Sequence, residues 1–155
     1  MICAVGLLSA QQVSQGSLGV LRGVGRANLE VDYSEAVIQG MTEADYAAYE
    51  TEWLKDKPSI IMKFVDEFNK VQDNLAIGLL PDVKYTCVLK VLNVTREGDI
   101  RAEFYVTETS TGDHLAEVTG IKAKGGRFGT GLNLMGDGMK NLGKGLGRFV
   151  NKNIK

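Results

Sequence analysis

The feature that most constrains this chain is its glycine-laden end. Gly125-Gly126-Arg127-Phe128-Gly129-Thr130-Gly131 leads into a segment holding Gly136, Gly138, Gly143, Gly145 and Gly147. The segment reads as a helix. On a 3.6-residue wheel Met135, Met139, Leu142, Leu146, Phe149 and Val150 fall on one side, and Lys140, Lys144, Arg148 and Lys152 recur every fourth residue on the other. An interior glycine costs a helix roughly 1 kcal/mol relative to alanine, so close packing or a ligand must offset these. Gly143 and Gly147 lie along one border of the apolar stripe, and Gly138 and Gly145 along the other. That placement predicts a helix sunk deep onto a sheet with its cations left in water.

Upstream, alternation and turn chemistry set the elements. Ala27 to Tyr33 alternates as a strand with one buried face. Thr42 is a helix N-cap with Glu43 and Asp45 in the first turn, and that helix runs towards Lys57. Pro58 suits the first turn of a second helix, striped by Ile60, Ile61, Phe64, Val65, Phe68 and Val71. Ala76 to Leu80 is a short strand. Tyr85 to Val94 is apolar on both faces and therefore central. Ile100 to Thr107 and His114 to Ile121 follow across Thr111-Gly112-Asp113 as an antiparallel meander. A strand, two helices, a meander and a C-terminal amphipathic helix predict one α+β two-layer domain over residues 26–155, with a mostly antiparallel sheet. Residues 11–25, rich in Ser, Gly and Gln, read as a flexible lead-in.

Met1 to Gln11 forms an apolar run, with Leu8-Ser9-Ala10 as a cleavage site, and reads as the remnant of a secretory leader; the alternative is a cytoplasmic chain with an apolar start. Without that leader Cys87 is the one cysteine left, so neither an internal disulfide nor a cysteine metal cluster is available. Lys84-Tyr85-Thr86-Cys87-Val88-Leu89-Lys90-Val91-Leu92, Gly112-Asp113-His114-Leu115-Ala116, Gly125-Gly126-Arg127-Phe128-Gly129 and Asn133-Leu134-Met135-Gly136-Asp137-Gly138 together resemble an uncharacterised family of small exported bacterial proteins, from about Ala27 to the end. The resemblance implies export and an α+β fold, and carries over no catalytic residue.

Charge is segregated although the formal net charge is only -1. Glu30 to Glu67 is acidic. Lys122 to Lys155 is basic, with Asp137 its one acid. Lys140, Lys144, Arg148 and Lys152 are then either the solvated face of a docked helix or a surface for a protein partner, anionic lipid or another anionic envelope component. Interleaved surface aromatics are lacking, which argues against nucleic acid. Two readings stand for the loop as well. It is a tight crossover with Phe128 plugging the core, or an anion or small-ligand site built from Gly125, Gly126, Arg127 and Gly129 at a helix start.

Other chemistry is thin. Gly138 to Gly145 approaches a phosphate-binding loop, but Gly145 stands where Ser or Thr is needed and no strand precedes it. His114, the sole histidine, has only its neighbour Asp113 as a partner, and Cys87 sits mid-strand among apolar residues. Glu52 and Asp56 share a helix face without a dense oxygen-ligand loop. No cofactor or metal is expected. The expectation is a non-catalytic surface-binding or assembly module, with an enzyme built from scattered residues as the rival. A deep pocket joining His114, Cys87 and the glycine loop would favour the rival.

Overall fold

The computed structural model describes residues 11–155; the leader and Cys3 lie outside the described residues. The chain runs β1 (Gln12–Gly16), a single 3-10 turn (Leu18–Leu21), β2 (Gly25–Asp32), β3 (Val37–Ile38), α1 (Glu43–Tyr49) and α2 (Trp53–Lys70). It continues with β4 (Leu75–Gly78), β5 (Tyr85–Val94), β6 (Ile100–Glu108), β7 (His114–Ala123) and α3 (Gly131–Asn153). The sheet order is β1-β7-β6-β5-β2-β4, with β3 beside β5. β5, β6 and β7 are antiparallel, as the meander predicts, and β1 adds antiparallel to β7. β2 lies parallel to both β5 and β4, because the two helices between β2 and β4 carry the chain back across the sheet.

One face of the sheet is dry. Cys87, Leu89, Val91, Phe104, Val106 and Val118 are fully buried beneath α2 and α3. Phe104 stacks on Phe68 of α2 at 6.4 Å. The alternate side chains, among them Lys90, Arg101, Glu103, Tyr105 and Glu117, point to an open face.

Three elements depart from the sequence reading. Residues 11–25 are not a lead-in: β1 pairs with β7, Ser17 caps the turn through Gly19 N–H at 3.0 Å, and Leu18 and Leu21 are core residues. The first helix stops at Tyr49, and α2 starts at Trp53 and runs through Pro58. Trp53 sets that start. It is buried edge-on against Tyr33, 5.4 Å between ring centres, and its indole N–H donates to Glu43 at 3.0 Å. Pro58 is exposed, so the Leu54 carbonyl that it cannot bond is on the wet side of the helix. The third departure concerns the glycines of α3. Gly143 and Gly147 meet α2 rather than the sheet. A Cβ on Gly143 would lie 2.4 Å from the Phe64 carbonyl oxygen, and one on Gly147 would lie 2.6 Å from Val71 Cγ2. Gly138 meets the Gly98 carbonyl in the β5–β6 turn, and Gly145 meets nothing.

The free edge of β4 is covered. The Asn69 amide of α2 accepts from Ile77 N–H at 2.9 Å and donates to the Ile77 carbonyl at 3.0 Å. One side chain thus does the work of a neighbouring strand at that residue.

Candidate functional site

The crossover from β7 to α3 is closely packed on itself. Gly125 N–H donates to the Asp99 carboxylate at 2.8 Å, and Gly126 N–H donates to the Leu134 carbonyl at 3.2 Å. A Cβ at Gly125 would overlap the Glu97 carbonyl, and one at Gly126 would overlap the Asp137 carboxylate. Gly129 has φ +111°, which favours glycine. Thr130 caps α3, accepting from Asn133 N–H at 3.2 Å. Arg127 projects into solvent. Two of the backbone donors needed for an anion cradle are therefore spent inside the protein. The hollow beside the loop, about 250 Å³, is walled by Asp56 and Asp137 as well as Lys63. Phe128 does not plug the core; it is 85% exposed on the rim of that hollow.

The basic stripe of α3 is wet along its length. Lys140, Lys144, Arg148 and Lys152 are all exposed, and among the described residues none is in an ion pair. Two acids elsewhere hold lysines closely. Glu43 holds Lys57 at 2.6 Å, and Glu35 holds Lys90 at 2.7 Å. The apolar side of α3 (Met135, Met139, Leu142, Leu146 and Val150) is buried in the core. The helix offers its charge and no apolar face.

The rival's residues are not brought together. Cys87 is fully buried, and burial pushes its thiol up to about 12, away from the thiolate a nucleophile needs. His114 is exposed and packs on the Tyr105 ring at 4.9 Å. The Tyr105 hydroxyl is itself raised, by burial first and then by its hydrogen bond to Glu103. Among the described residues no group of three or more His, Cys, Asp or Glu is placed to hold a metal, and no helix is long and apolar enough to cross a membrane.

A feature that the sequence reading missed lies on the open sheet face. β6 and β7 set Arg101 directly opposite Lys122. A hairpin counted straight back from the Thr107–His114 pair would put Arg101 opposite Gly120. Two irregularities in the ladder, each adding a residue on β7, move it to Lys122. Gly120, at φ +73°, is the one signal of the second in the sequence.

The chain is thus an α+β two-layer domain with a basic helix face, a self-satisfied glycine crossover and a cationic sheet corner. No protein-family model matches it, and no curated protein does. Among solved structures it is similar to the PelC dodecamer from Paraburkholderia phytofirmans, at 12% identity and a TM-score of 0.47, over 92% of this chain and 96% of that one. A point-substituted PelC dodecamer from the same organism matches at 14% identity and a TM-score of 0.47, over 92% and 98%. A likeness at this level assigns neither a site nor an activity.

Proposed function

We propose that this chain is a non-catalytic, exported binding module that works through its surface, holding the basic face of α3 against an anionic membrane. The carrying observation is the stripe Lys140, Lys144, Arg148 and Lys152, exposed throughout and without an acid partner among the described residues. Export is supported by the apolar run before Gln11, with Leu8-Ser9-Ala10 as its cleavage site. The non-catalytic reading is supported by the burial of Cys87 and by the exposure of His114 on the surface.

Because the apolar side of α3 is committed to the core, adsorption is electrostatic and without insertion. Each lysine or arginine near an anionic surface contributes about 1 kcal/mol. Four such contacts give weak binding, near millimolar in accessible lipid, that salt reverses. The test is sedimentation with vesicles of phosphatidylglycerol and phosphatidylcholine at millimolar lipid. The protein binds in low salt, is released by roughly 0.5 M salt where the Debye length is under half its low-salt value, and ignores pure phosphatidylcholine. Lys140→Glu, Lys144→Glu and Arg148→Glu together leave the melting curve nearly unchanged and abolish binding. Vesicle binding that survives the triple reversal, or a wild-type protein that never sediments, refutes the reading.

A further inference from the structure

The sheet's open face has a corner whose charges are not balanced. Arg101 and Lys122 stand directly across from each other on β6 and β7, and both are exposed. Their chain neighbours Ala102 and Ile121 are also paired and are buried on the helix side, so the two cations share the face turned away from α3. Like charges in that position repel and weaken a strand pair.

The nearby acids do not relieve them. The Asp99 carboxylate accepts from Gly125 N–H at 2.8 Å and lies 3.9 Å from Lys124 Nζ. Glu103 accepts from the Tyr105 hydroxyl, and Glu35 is paired with Lys90. Among the described residues neither Arg101 nor Lys122 has an ion-pair partner. A strand pair that keeps an uncompensated repulsion breaks a local rule, and such breaks gather at functional sites.

The two cations border a cleft of about 330 Å³. Asn93 and Thr95 of its lining can donate hydrogen bonds, and Thr95 already accepts from Asp99 N–H at 3.1 Å, which leaves its own proton free. Ile100 is 1% exposed with its side chain turned to α3, and Lys124 at the rim is paired with the Asp99 carboxylate, which also lines the cleft and leaves Arg101 and Lys122 as its unpaired cations among the described residues. The volume is at the small end of the range for small-molecule sites. A guanidinium fork matches two oxygens of one head group, while the facing ammonium supplies a point charge.

We propose that this corner binds the oxyanion head, phosphate or carboxylate, of a small ligand. The bound anion converts the repulsion between Arg101 and Lys122 into a shared attraction. The site is therefore less stable empty than filled. It is separate from the basic stripe of α3 and does not depend on it.

The probes are phenyl phosphate and benzoate, compared with chloride at equal ionic strength, and the readout is the melting temperature. The wild-type protein gains several degrees with at least one of the two organic anions beyond any gain with chloride, and the larger gain identifies the head group. Arg101→Gln with Lys122→Gln removes that gain. Without added anion, Lys122→Gln melts no lower than wild type, because it deletes a repulsion. Equal gains in wild type and double variant, no gain beyond chloride, or a lower melting temperature for Lys122→Gln alone would each overturn the site. The triple reversal on α3 leaves all of these results unchanged, so failure of the membrane reading and failure of this one are told apart.

Discussion

Cys87 shows how one buried atom gives the protein a pH dependence. Its thiol has no exposed surface, and burial raises it from 9.0 to about 12. The unfolded chain loses this proton near pH 9, while the folded chain keeps it until about 12. The native state therefore binds more protons in that window, and stability falls as pH rises through it, by up to about 1.4 kcal/mol per pH unit. Below pH 9 the contribution is complete and constant. Denaturant unfolding at pH 8.5, 9.5 and 10.5 should show a steeper loss for wild type than for Cys87→Ala, whose own stability is lower at every pH from its cavity. Parallel curves would mean that the thiol titrates at its ordinary value. The fate of Cys87 was legible because an apolar residue inside a doubly apolar strand has nowhere else to go. That of Phe128 was not. It sits in a crossover with no period, and the same apolarity that suggested a plug ends up 85% exposed. A strand imposes a direction on each side chain, and a glycine loop does not.

Elements were legible wherever a period ran long enough. The Thr42 cap, the central place of β5 and the two-faced character of α3 all follow from spacing. What packs against each face does not. The borders of the α3 stripe were visible, but α2 and the sheet are both apolar, and only the tertiary path decides which of them meets Gly143. The Arg101–Lys122 juxtaposition was hidden for a related reason, since each irregularity in β7 shifts the partner by one residue without changing the composition. The α3 packing predicts opposite signs for two neighbouring substitutions. Gly145→Ala meets open space and gains helix propensity, so it should stabilise by about 0.5–1 kcal/mol. Gly143→Ala gains the same propensity but drives a Cβ to 2.4 Å from the Phe64 carbonyl oxygen. Forcing α2 and α3 apart should cost about 1–3 kcal/mol and leave a net loss. Thermal melts of the two variants side by side check this, and a stabilised Gly143→Ala would mean that the helices do not approach so closely.

At the scale of the whole molecule the decisive segment is the one that composition disguises. Gln11 to Gly25 has the serine, glutamine and glycine content of a linker, yet it closes the structure at two places. β1 pairs with β7 and turns polar side chains outward, which suits a strand at the sheet edge. Leu18 and Leu21 then insert into the core, each 1% exposed, and the Arg22 guanidinium donates to the Ile154 carbonyl at 3.2 Å beyond the end of α3. Two leucines in a polar stretch carry no period, so nothing local marks them as core. Their burial is large on the scale of a domain. At about 1.5–3 kcal/mol each they contribute about 3–6 kcal/mol, against a total stability of about 5–15 kcal/mol. A chain beginning at Gly25 should consequently melt at least about 6 °C lower, given roughly 2–4 °C per kcal/mol for a protein of this size, or show no cooperative transition. Leu18→Ala with Leu21→Ala in the full chain should reproduce most of that loss while leaving β1 in place, which separates core filling from edge pairing. If the shortened chain melted at the wild-type temperature, the segment would be a lead-in after all and the domain would begin at β2.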